Sequence, residues 1–223
     1  MPQHPFSAAL LAGALAWGPA ANAEVLGVDF LQGTAFSVGA FINNVGWSFV
    51  LTAPMAMDGL GVFDDAPDGL VNAHPVGLWN ASGQLLYQAT VSSASTAVPS
   101  QSLLGQWWFA DVAQVTLPAG MYSVGAFYAD ADPDGVVALA QGLVMAPHVV
   151  YLASLGGDGD SFALPGLYGA VMPGVFGPNV RFVSPGPDPD PDPEPVDEPA
   201  SLALVALALV GAAGVRRRQR APR

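Results

Sequence analysis

Neither cysteine nor lysine occurs in the 223 residues. The first absence removes disulfides, thiolate metal sites and cysteine nucleophiles, so the fold has to stand on its core alone. The second leaves six arginines, of which Arg216, Arg217, Arg218, Arg220 and Arg223 close the chain. Arg181 is therefore the one arginine among 18 acidic side chains, all of which lie between Glu24 and Glu198. A surface so one-sided repels nucleic acid and anionic lipid, and suits solvation, divalent cations or a dense anionic matrix. Heptads, a long basic helix and βαβ alternation are all missing, which excludes coiled-coil, nucleic-acid and dinucleotide-binding readings. Catalytic signatures are missing too. There is no Gly-x-Ser-x-Gly elbow and no His-Glu-x-x-His helix, and beyond residue 23 only His74 and His148 remain, each beside a proline. The paired acids of a glycosidase need lie only ~5 to 10 Å apart in space and leave no spacing to read. The aspartates here fall mostly in turns with Gly or Pro, where they have a structural reason to occur. The chain reads as non-enzymatic.

What is present is concentrated at the two ends. Residues 6–17 form an apolar run containing Leu10, Leu11, Leu15 and Trp17, and Ala21-Asn22-Ala23 supplies the small-x-small pattern that a signal peptidase cuts after. Only His4 and the amino terminus bring positive charge to its start. Residues 1–23 are thus expected to be a signal peptide, and the mature chain to begin at Glu24. At the other end, residues 185–199 are an acidic proline-rich linker, residues 200–215 carry no charge, and residues 216–223 are basic. An uncharged sixteen-residue helix rises about 24 Å at ~1.5 Å per residue, a little less than a hydrocarbon core of ~30 Å. It enters a bilayer but is held there weakly, with its arginines on the cytoplasmic side. Proline at alternate positions in the linker, with repulsion among Asp188, Asp190, Asp192 and Glu194, predicts an extended rod of about 45 Å at ~3.1 Å per residue.

The segment Asp197-Glu198-Pro199-Ala200-Ser201-Leu202-Ala203-Leu204, the apolar helix behind it and Arg216-Arg217-Arg218 together resemble the PEP-CTERM sorting signal of Gram-negative bacteria. Asp197 stands where that pattern has its first proline. A literal Pro193-Glu194-Pro195 lies upstream, and Glu198-Pro199 is the copy at the better distance from the helix. The resemblance covers about the last twenty-five residues. It implies processing by a membrane-embedded exosortase after signal peptidase, transient residence in the inner membrane, and then a place at the cell surface or in the extracellular polysaccharide of a Gram-negative bacterium. It implies an address and no activity.

Between these ends, residues 24–184 are long enough for one domain with a sizeable core. Short runs rich in Val, Phe, Trp, Tyr and Leu recur between Gly, Pro, Asp and Asn clusters, which predicts an all-β fold. Strands are expected at 35–42, 46–51, 59–63, 76–80, 84–91, 106–117, 121–128, 136–140, 149–153 and 180–183. A hairpin is expected through Ala81-Ser82-Gly83, and a second at Pro118-Ala119-Gly120. In the strand that follows, Tyr122, Val124, Ala126 and Tyr128 share one face. Ten short strands pack best as an antiparallel β-sandwich, jelly-roll or immunoglobulin-like, flanked by the signal helix and the C-terminal transmembrane helix. Gly46-Trp47-Ser48-Phe49, Leu60-Gly61-Val62-Phe63-Asp64 and His74-Pro75-Val76-Gly77-Leu78-Trp79 are similar to uncharacterised extracellular β-sandwich domains that carry the same kind of tail. No activity comes with that likeness.

Four local patterns bear on ligands. Asp130-Ala131-Asp132-Pro133-Asp134-Gly135 has the Asp-x-Asp-x-Asp-Gly spacing in which carboxylates converge on calcium, with Gln141 where a bidentate Glu would complete a helix-loop-helix site. It is either a calcium loop or an acidic hairpin tip. Asp64-Asp65-Ala66-Pro67-Asp68-Gly69 is a weaker acidic turn, expected to be solvated. Gly156-Gly157-Asp158-Gly159-Asp160-Ser161 is one copy of a β-roll-like pattern that cannot stack alone, hence a flexible loop. Trp107 and Trp108 point to opposite sheet faces, so one could stack on a sugar ring as the centre of a lectin-like site, or serve as an ordinary rim contact. Trp47 and Trp79 are expected in the core, and His74 as a strand-entry residue. Asn80-Ala81-Ser82 matches a glycosylation sequon but coincides with the hairpin turn.

Overall fold

The computed structural model describes residues 24–38, 42–130, 132–167 and 174–184. The expected signal peptide, the linker with Glu198 and Pro199, the helix at 200–215 and Arg216, Arg217, Arg218 and Arg220 lie outside the described residues. Among those described, no helix is long and apolar enough to cross a membrane.

The described chain is all-β and antiparallel. Its strands are β1 (Glu24–Leu26), β2 (Val28–Asp29), β3 (Gln32–Phe36), β4 (Asn44–Leu51), β5 (Met55–Asp64), β6 (His74–Asn80), β7 (Leu85–Val91), β8 (Thr96–Pro99), β9 (Gln106–Leu117), β10 (Gly120–Phe127), β11 (Val136–Gln141), β12 (Val144–Met145), β13 (Val149–Gly157), β14 (Gly166–Leu167) and β15 (Pro178–Val183). One sheet has the order β1-β15-β5-β9-β8 and the other β14-β13-β4-β10-β6-β7, with two small two-stranded sheets, β11-β3 and β12-β2, beside them. The result is sandwich-like.

Alternation builds the core. In β4, Val45, Trp47, Phe49 and Leu51 are buried in the central cluster, as are Tyr122, Val124 and Ala126 of β10. Phe49 meets Phe182 of β15 edge-on at 6.5 Å, and the Trp47 indole N–H donates to the Pro178 carbonyl at 2.8 Å, so both rings tie one sheet to the other. Full burial of such an apolar side chain contributes about 1.5 to 3 kcal/mol.

The hairpin expected at 81–83 joins β6 to β7. Gly83 takes φ +77°, and Asn80 fills the turn, its side-chain oxygen accepting from the N–H groups of Ser82 and Gln84. The hairpin expected at 118–120 does not form. β9 pairs with β5 in one sheet and β10 with β4 and β6 in the other, so Pro118 and Ala119 make a corner between sheets, clamped by the Tyr122 hydroxyl donating to the Pro118 carbonyl at 2.9 Å. Of the strand expected at 35–42, Ala35 and Phe36 end β3, which starts at Gln32, and residues 39–41 lie outside the described residues.

Two features close the outer faces. On the β1 sheet, Arg181 of β15 donates to Asp58 of β5 and Asp111 of β9, each at 2.7 Å, and lies 3.4 Å from Glu24 of β1. Burial works against its charge, but the hydrogen bonds it donates to Asp58 and Asp111 and the nearby carboxylates outweigh that, holding the guanidinium above its ordinary range. Four strands are stitched by one side chain, which also lies over the Phe109 ring. On the other sheet, Gly46, Gly125 and Gly77 align across β4, β10 and β6. Their missing side chains leave a trough that Phe162 and Pro165 fill, and Asn44 fixes this strap by donating to the Ser161 carbonyl and accepting from the Ala163 N–H. The segment expected to be a free loop is therefore fastened at its C-terminal end, while Asp158 and Asp160 remain exposed.

A Cβ at Gly125 would stand 2.7 Å from Pro165 and 3.3 Å from Trp79. Gly125→Ala should lower stability by about 1 to 3 kcal/mol in urea unfolding and speed amide exchange at Ala163. An unchanged Ala163 amide would show that the strap does not depend on the glycine row.

Candidate functional site

The acidic patterns gather at one end of the body, where the connections β5–β6 and β10–β11 meet. Asp64 ends β5 and is buried. Its carboxylate accepts from the N–H groups of Ala66 and Gly69 and from the Trp108 indole N–H at 3.0 Å. The acidic turn expected to be solvated is anchored by this residue, with Asp68 left exposed. Asp65 accepts from the Gly135 N–H at 3.1 Å, linking the two connections. Gly135 is needed for space, since a Cβ there would stand 2.7 Å from Asp65 Oδ2 and 2.9 Å from the Phe36 carbonyl.

The three carboxylates of the Asp-x-Asp-x-Asp-Gly pattern are not brought together. Asp130 is exposed and accepts from the Asn43 amide at 2.8 Å, while Asp132 and Asp134 turn into the interior. Asp132 accepts from the N–H groups of Ala129 and Asp134 and from the Asn72 side chain. Asp134 accepts from the N–H groups of Val71 and Asn72 at 2.9 to 3.0 Å.

In place of Asp130 the structure supplies His74, the first residue of β6 and fully buried. Its Nε2 lies 3.0 Å from Asp134 Oδ2, and its Nδ1 lies 3.3 Å from the Phe127 carbonyl and 3.9 Å from Asp132 Oδ2. His74, Asp132 and Asp134 each offer a ligand atom within 4.8 Å of the others. They do not fit a shared ion. The carboxylates flank opposite edges of the imidazole, a single ion can take only one ring nitrogen, and the carboxylate oxygens already accept from protein donors. The arrangement is a clasp that joins the start of β6, residues 70–72 and the β10–β11 connection.

Tyr128 packs against the clasp, its ring 4.6 Å from that of His74. Burial, followed by the charges of Asp132, Asp134 and Asp65, holds its hydroxyl well above the ordinary phenol range, and that hydroxyl has no hydrogen-bond partner among the described residues. Sequence reasoning missed His74 in this role because 58 and 60 residues separate it from Asp132 and Asp134. A histidine at the entry to a strand was the available signal.

The aromatic expectations divide. Trp107 is buried, its indole N–H donating to Asp29 at 3.1 Å, and Trp108 is half-buried and held by Asp64. Trp107 has no exposed ring to offer a sugar, and Trp108 is only partly exposed. Trp47 and Trp79 are buried as expected.

Comparison of the chain with protein-family models, with curated proteins and with solved structures found no match.

Asp134→Ala strips two backbone N–H groups and His74 of their acceptor and should cost about 2 to 4 kcal/mol, against no more than about 1 kcal/mol for Asp130→Ala. Equal losses in denaturant unfolding would remove the distinction between the buried and exposed acids. Tyr128→Phe deletes a buried hydroxyl without a partner among the described residues and should leave stability unchanged or raised by up to about 1 kcal/mol. Because the folded state keeps the Tyr128 proton more firmly than the unfolded chain, its contribution is intact below pH 10 and lost as pH rises beyond. Wild type should therefore lose more stability than Tyr128→Phe between pH 10 and 12, as thermal melts can read.

Proposed function

We propose that this chain is an exported, non-enzymatic protein of the cell envelope or extracellular matrix, delivered through a PEP-CTERM-type tail that an exosortase processes. The observation that carries the reading is the unbroken order at the C-terminus, from Pro/Asp linker through Glu198-Pro199 and an uncharged stretch to Arg216, Arg217, Arg218 and Arg220. The body is compatible with this. Glu24, the residue after the expected cleavage point, lies in β1 and pairs with Val183 of β15. Its one arginine is committed to Glu24, Asp58 and Asp111, so the remaining surface is anionic and suited to a hydrated polysaccharide layer.

We read the two sheets as a sandwich of jelly-roll type. β4 passes to β5 and β9 to β10 by crossing between sheets, and each crossing pair lies beside the other, β4 on β10 and β5 on β9. In such a body the loops and faces supply bulk and contacts, while the tail supplies the destination.

Mass spectrometry of the protein recovered from its host should give a mature start at Glu24 and an end near Pro199, and deletion of the host exosortase should leave the tail attached. Full-length chain with residues 1–23 and 200–223 intact in the cytosol of a normal host would end the proposal. Substitution of Arg216, Arg217 and Arg218 by Ser should reduce processing at least several-fold, because their charge orients the helix.

A further inference from the structure

Three of the four outer strands of the two large sheets are short. β1 has three residues and carries Glu24, β8 has four and ends in Pro99, and β14 has two. Shortness, charge and proline are the usual means of keeping a sheet edge from taking up another strand. β7 has none of them. It runs for seven residues, Leu85–Val91, without a charge, a proline or a glycine, and among the described residues it pairs with β6 on one flank and with no strand on the other. Its one irregularity lies at the hairpin end, where Leu86 is the extra residue.

The ladder to β6 fixes which backbone groups of β7 are free. Antiparallel pairs alternate between residues that exchange hydrogen bonds and residues whose N–H and C=O point away from each other. The Asn80 N–H donates to the Gln84 carbonyl at the hairpin, and Pro75 has no N–H to exchange, so the β6 residues that bond β7 are His74, Val76, Leu78 and Asn80. Gln88 and Thr90, opposite Gly77 and Pro75, therefore direct their backbone donors and acceptors outwards. Both are exposed on the outer face, while Ala89 between them is half-buried on the inner one.

Charge decides what can approach this edge. Residues 24–184 are strongly acidic with Arg181 as their one arginine, yet from Gly69 to Ala110, across β6, β7, β8 and the start of β9, there is no Asp, Glu, Lys or Arg. A basic partner would gain more on the acidic surfaces. A second copy of the chain is repelled there and meets least repulsion along β7.

We propose that β7 is a dimerisation edge, at which two copies of the chain join antiparallel, β7 to β7, about a two-fold axis at Ala89. Gln88 of each copy exchanges backbone hydrogen bonds with Thr90 of the other, which engages the groups that β6 leaves free. Ala89 then faces its own counterpart in the close type of pair, about 4.5 Å between Cα atoms, where a small side chain fits. The six-stranded sheet continues from one copy into the next. Seven residues span only about 23 Å at ~3.3 Å per residue, a contact smaller than the ~1,200 to 2,000 Å² of stable complexes, so the dimer is reversible and governed by concentration.

Because the chain has no cysteine, Ala89→Cys supplies its only thiol. Mild oxidation of the full-length chain in neutral detergent should yield a disulfide-linked dimer, and Ser82→Cys at the exposed hairpin turn should link at least about tenfold less. On the outer face, Gln88→Glu with Thr90→Glu sets like charges against each other across the axis, whereas Gln88→Lys with Thr90→Glu sets opposite ones. Sedimentation should show dimerisation weakened at least about tenfold in the first double variant and retained or tightened in the second. Amide exchange at Gln88 and Thr90 should slow when the wild type is concentrated about a hundredfold, with Tyr87 and Ala89, bonded to β6, unchanged. A wild type that stays monomeric, or a dimer indifferent to both double variants, overturns the proposal. Gln88 and Thr90 amides protected alike at every concentration overturn it in favour of another segment of the same chain lying along β7.

Discussion

A body with twelve carboxylates and one arginine cannot bury its acids as ion pairs, and that shortage of positive charge governs how its loops are built. Four aspartates are buried, and each is surrounded by N–H or O–H donors. Asp29 receives the Trp107 indole, the Gln101 N–H and the Ser100 hydroxyl. Asp64, Asp132 and Asp134 receive backbone N–H groups of the connections they anchor, with Trp108, Asn72 and His74 completing them. Donors of this kind stabilise a carboxylate without needing a lysine or an additional arginine. The acids thus act as internal rivets at the strand ends. Arg181, freed from that duty, fastens the outer face of one sheet.

The long strands were legible because their chemistry is periodic. Alternation of Val45, Trp47, Phe49 and Leu51 marks β4, and β9 has the bounds expected from its run of residues. β1, β2 and β12 have two or three residues each and pair with strands more than about a hundred residues away, and Asn179 bonds both the N–H and the carbonyl of Val28. No local pattern encodes that. The corner at Pro118 shows a different limit, for Pro-Ala-Gly announces a reversal and says nothing about whether the strands on either side pair. Tyr122 and the partners of β9 and β10 settle it in three dimensions.

The candidate site was legible in its acids and not in its histidine. Asp-x-Asp-x-Asp-Gly correctly marks a loop rich in carboxylates, yet Asn43 draws Asp130 outwards while the 70–72 segment draws Asp132 and Asp134 inwards. Which way each side chain turns depends on donors up to 87 residues away along the chain. A spacing motif carries no information about them. The glycine row beneath the 161–165 strap is similar, because Gly46, Gly77 and Gly125 look unrelated until register places them side by side.

The pairing of Glu24 with Val183 has a mechanical consequence. A tug on the chain beyond Ser184 enters β15, which is an interior strand with hydrogen-bonded neighbours on both flanks, β1 and β5. Peeling it out requires breaking two ladders and the guanidinium knot at Arg181, whereas an edge strand would yield one ladder at a time. The C-terminal end of β15 is thereby held by two neighbouring strands and by Arg181, and a pull on it is shared with β1 and β5 from the outset.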